Sequence, residues 1–275
     1  MTFSAFKRLL IESSPPLNRS EFSTEDSLNL VLKRLFDQKF ENEIEEATLL
    51  KEVGRLTWML AQIKFNNKPN KNEFNNLMDT SFNFLRNAWS KQEELKNDLE
   101  LTSQIQWLLG EHHMLKNLGK GCYFMYHAVQ NMLFFHSKLH DRLKIEETKK
   151  LMQIWIAALI ERLMQGNFIE QANKILENIL EQAENRKDIE WQIQTLDLLC
   201  LVAAFVKSKE KNVIVELAPN SSFTKDMHRF YEEIKKDNPK IVELEKQLQL
   251  NPPPGYGNQQ FTPEQYEQLL KNMIK

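Results

Sequence analysis

The chain has 275 residues, with 36 Lys and Arg against 38 Asp and Glu, for a formal charge of −2. That balance lacks the basic excess by which nucleic-acid binders neutralise phosphates, so no direct contact with nucleic acid is expected. Hydrophobic residues make up 41%, enough for a substantial core, while 7 glycines and 9 prolines are too few for a sandwich or a glycine-turned α/β sheet.

From the N-terminus, MTFSAFKRLLIESSPP offers no apolar signal-peptide core. The runs WIAALI and LLCLVAAFV read as too short to cross a bilayer. The expectation is an intracellular protein, cytoplasmic or nuclear, with no membrane partner. Ser23 can cap a first helix carrying a stripe from Leu28 to Phe36. A second runs from about Glu43 to Phe65 with Leu49, Leu50, Val53, Leu56, Leu60 and Ile63 inward; the polar turn NNKPNKN stops it. Trp58 lies off that stripe and is a candidate exposed partner-binding aromatic. A helix over Lys71–Trp89 follows. Further helices are predicted near 98–118, 122–141, 145–165, 168–184, 187–208, 224–237 and 239–250, the last with Pro239 in its first turn. Val213–Val215 is an isolated apolar run and reads as loop or helix.

The stretch GEHHMLKNLGKGC, residues 110–122, holds two histidines and a Gly-Lys-Gly. It lacks the preceding strand and the following Lys-Ser or Lys-Thr of a phosphate-binding loop. A helix stop at Gly119 with a tight turn through Gly121 is expected instead. Five of the six histidines lie between 112 and 140. His136 and His140, four apart, would share one face of a helix over 122–141. With His112 or His113 from the preceding helix they define an alternative: a metal-binding helical bundle. His136-Ser-Lys-Leu-His140 lacks the glutamate of the zinc-protease pattern. The favoured expectation is no metal, no cofactor and no catalytic residue. Cys122 and Cys200 sit in apolar runs and read as buried thiols. Phe82, Phe84, Phe124, Phe134 and Phe135 read as core.

An apolar template of spacing 4, 4, 3 recurs at Phe74, Phe124, Phe168 and Phe223, suggesting helix-pair repeats. The segment 155–180, WIAALIERLMQGNFIEQANKILENIL, resembles a tetratricopeptide-type helix pair. Trp155 and Leu159 stand in the first helix, Gly166 and Phe168 at the turn, Ala172 and Leu176 in the second. Gly166 is expected to supply the positive φ of that turn. The same Gly-Asn-Phe-then-Ala turn is similar to part of the helical dimerisation domain of telomere-repeat-binding factors. That adds the alternative of a dimerisation subunit in a nucleic-acid-associated complex.

The expected fold is all-α: antiparallel helix pairs over 1–250, forming a short tetratricopeptide-like α-solenoid. A Pro/Gly linker over 251–261 follows, then an amphipathic helix over 262–275. Thr262, Pro263 and Gln265 write its start signal. Tyr266, Leu269, Leu270 and Met273 form its partner-binding stripe. The expected function is a non-catalytic scaffold or adaptor subunit that binds a protein or peptide.

Overall fold

The computed structural model describes residues 40–211 and 225–250, together with residues 25, 29, 32 and 33. Val213–Val215, most of the first expected helix, the 251–261 linker and the tail stripe at Tyr266, Leu269, Leu270 and Met273 lie outside the described residues. Among the described residues the chain is all-α, with ten helices and no strand. They are α1 (Glu43–Asn67), α2 (Lys71–Trp89), α3 (Gln92–Leu95), α4 (Leu99–Met114), α5 (Leu118–Ser137), α6 (Arg142–Gln165), α7 (Ile169–Asn185), α8 (Ile189–Glu210), α9 (Lys225–Lys236) and α10 (Pro239–Leu250). The chain divides into two compact units, Met1–Trp155 and Ile156–Lys275.

Most helix starts are written by an Asn or Asp. The side chains of Asn42, Asn70, Asp98, Asn117 and Asp188 each accept the backbone N–H three residues on, satisfying a donor the helix leaves open. Asp141 and Asn238 do the same for Lys144 and Ile241.

In the first unit α1 packs on α2 and α4 packs on α5, and α2 also meets α4. One apolar cluster joins Leu32 to Leu49, Val53, Leu56 and Leu60 of α1. A second draws Ala47, Leu85, Leu95, Leu101, Ile105 and Leu109 from four helices. The turn between α4 and α5 corrects the expected stop at Gly119. Only Leu115, Lys116 and Asn117 connect the two helices, and Gly119 and Gly121 lie inside α5. Asn117 caps Lys120 N–H at 2.9 Å, so no glycine turn is needed. Glycine serves a different purpose here. A Cβ on Gly110 would stand 3.1 Å from both the Gly121 carbonyl oxygen and the Met125 nitrogen, so its absence lets α4 and α5 approach closely.

In the second unit α8 is central and touches α7, α9 and α10. Phe205, Trp191 and Cys200 are buried, as is Phe230 of α9; Leu201 is half-buried, so α8 is less fully interior than its apolar run implies. At 22 residues α8 also has the length and composition of a membrane span, which the broken-up apolar runs of the sequence concealed.

The turns before and after α7 close the same way. Phe168 N–H donates to Leu163 O (2.8 Å) and Asn167 N–H to Met164 O (3.0 Å). Asp188 N–H donates to Ala183 O and Lys187 N–H to Glu184 O, each at 2.9 Å. These are Schellman closures, which need one left-handed residue. Asn167 (φ 59°) and Lys187 (φ 55°) take it, not Gly166, because the ladder still includes the Gly166 N–H, bonded to Arg162 O. The segment 155–180 thus runs from α6 through a tight turn into α7, with the left-handed residue at Asn167, one position after Gly166.

Candidate functional site

The histidine-rich stretch separates into structural and surface roles. His112 is buried on α4, with Trp58 of α1 edge-on at 4.2 Å and Phe82 of α2 at 5.6 Å between ring centroids. The Ser81 hydroxyl donates to Gly54 O at 2.6 Å, so its oxygen is left to accept from His112 Nε2 at 2.9 Å. That relay ties α1, α2 and α4 together and calls for the neutral imidazole with its proton on Nε2. Burial, reinforced by the charges of His113 and Lys116, lowers the His112 pKa from the usual 6.5 to about 4.

The four-apart histidine pair does not form a shared face. α5 ends at Ser137; His136 is buried within it, whereas His140 is exposed beyond the cap at Lys138. His112 is meanwhile committed to Ser81. Among the described residues no group of three or more His, Cys, Asp or Glu is placed to hold a metal ion. Cys122 and Cys200 are buried thiols, not joined in a disulfide. Trp58 is half-buried against His112 rather than displayed.

A second buried polar cluster lies on α1. Glu52 receives Lys51 Nζ and Arg55 Nη2, each at 2.8 Å, and Lys51 also donates to Gln104 of α4. Burial alone would push the Glu52 carboxyl up, but the two cations outweigh it and hold the group at about 2. Structural anchoring accounts for this cluster, since every charge in it has a partner.

The outer face of α5 differs. Its inner face buries Cys122, Met125, Val129, Met132 and Leu133. The opposite face repeats Tyr123, His127 and Phe134 at i, i+4 and i+11, so all three project the same way. Tyr123 is 61% exposed and Phe134 51% exposed. The Phe134 exposure corrects its expected core position. The ridge is ordered: Tyr123 packs edge-on His127 at 4.4 Å and Lys138 Nζ sits 4.0 Å above the Phe134 ring. Periodicity could have pointed to this face, because Tyr123 and Phe134 fall on the side of α5 opposite the residues that meet α4. In the second unit, a groove of about 600 Å³ over α8 has Val202, Ala203 and Val206 in its lining, with Asn173 and Ile234 from the flanking helices.

No protein-family model matches the chain, and comparison with curated proteins and with solved structures likewise found no match.

Proposed function

We propose that this chain is a non-catalytic scaffold or adaptor subunit, built from tetratricopeptide-like helix pairs, that holds another protein on the outer face of α5. The observation that carries the reading is the ridge of Tyr123, His127 and Phe134. Large aromatic side chains left in water forgo about 1.5–3 kcal/mol each of burial, and rigid aromatics are the residues that anchor interfaces. The repeat reading draws support from the shared template. Met78, Ala128, Ala172 and Met227 occupy its second position in α2, α5, α7 and α9, and all four are buried. Two buried thiols suit an intracellular setting.

The test is recovery of native complexes on the tagged chain. Tyr123→Ala with Phe134→Ala should lose a partner that the wild type retains while the thermal melt stays unchanged. An identical set of co-purifying proteins in the double variant would contradict the proposal.

A further inference from the structure

We infer that the partner segment seated on the outer face of α5 is an acidic, amphipathic protein helix, with carboxylates at its two ends and apolar side chains between them. This rests on the reading of that face as a docking surface. Residues 112–140 contain no acidic residue, in a chain that carries 38 of them. Lys120 lies one turn before Tyr123 and Lys138 one turn after Phe134, so the ridge has a cation at each end. The two lysines are about 27 Å apart along the helix axis.

Some lysines elsewhere on this chain have carboxylate partners, while others, such as Lys71 and Lys150, are exposed. Lys64 binds Glu73 at 2.7 Å, Lys144 binds Glu100 at 2.7 Å, and Lys235 binds Asp197 at 3.0 Å. Among the described residues neither Lys120 nor Lys138 is in an ion pair. Lys116, in the turn before α5, has only a long, solvent-exposed contact of 3.4 Å with Asp79. The face therefore carries aromatic rings at Tyr123 and Phe134, with His127 and Gln130 between them, and a lysine outside any ion pair at each end. Complementarity asks for the reverse on the partner. A helix of about 18 residues spans that length and places carboxylates on one face at turn intervals. A nucleic-acid strand would bring about eight phosphates over the same distance, far more charge than the face offers.

The probe is a labelled helical peptide of about 18 residues, with Leu and Phe along one face and Glu elsewhere, and a second peptide with every Glu replaced by Gln. Binding to the full chain is read by fluorescence anisotropy. The Glu peptide should bind about tenfold or more tightly than the Gln peptide, and the advantage should fall toward parity near about 1 M salt. Lys120→Glu with Lys138→Glu should reverse the preference without changing the melt. Tyr123→Ala with Phe134→Ala should weaken both peptides alike. Equal affinity for both peptides, still dependent on Tyr123 and Phe134, would overturn the charge inference and leave the docking face standing. Insensitivity to all four residues would overturn both. A single-stranded oligonucleotide of matched length that binds tighter than the Glu peptide would overturn the assignment to a protein partner.

Discussion

Mild acid should destabilise the fold through His112. Its folded pKa is about 4 against 6.5 for the free side chain. Below pH 6.5 the unfolded chain takes up a proton that the folded chain refuses, so stability falls as pH drops from 6.5 toward 4. Above that window the contribution is fully present. At about 1.4 kcal/mol per pH unit the whole effect is about 3 kcal/mol, and between about pH 7.5 and pH 5.5 it is about 1 kcal/mol. The upper window is the useful one, because Glu52, held at about 2, gives up its own contribution only below its usual 4.5. The perturbation is His112→Gln, whose amide can still donate to Ser81 but does not titrate. The variant should be weaker at neutral pH, having lost the ring packed on Trp58. Its urea midpoint should then fall less between the two pH values than that of the wild type. Parallel midpoint shifts in the two proteins would refute the assignment of His112 as a buried neutral imidazole.

Glu52→Gln should cost about 3–5 kcal/mol, because it leaves Lys51 and Arg55 without the carboxylate between them; a thermal melt reads it. Gly110→Val should cost about 1–3 kcal/mol by forcing α4 away from the α5 backbone, again as a lower melting temperature. Lys187→Gly should do the opposite and raise the melt, since it relieves about 1 kcal/mol of left-handed strain at φ 55°. Phe205→Ala should cost about 3–5 kcal/mol in denaturant unfolding, given its 1% exposure.

Helix existence was legible because the apolar period of 3.6 is strong and the polar turns are dense. NNKPNKN, for example, places the end of α1 and the start of α2 closely. Glycine misled in two ways. Gly119 drew the α4–α5 boundary to itself, where the structure instead uses the Asn117 cap. At Gly166 the boundary was placed correctly, but the left-handed residue is Asn167. The site was harder still. Periodicity gives α5 the apolar stripe that starts at Phe124 but does not show that Tyr123 and Phe134 stay exposed on another face. Only the packing against Gly110 decides that Met125 faces inward and Tyr123 and Phe134 outward. The histidine chelate failed for a related reason: a shift of four residues in the helix end separated His136 from His140.

The most direct test of the docking claim is site-specific photo-crosslinking in the native cell, with the reactive group placed in turn at Tyr123, at Phe134 and at Asn83, an exposed position on α2. The account predicts that the first two positions give the same single partner adduct, that its crosslinked peptide is acidic, and that Asn83 does not give it. The same adduct from all three positions, or none from Tyr123 and Phe134, would contradict the account.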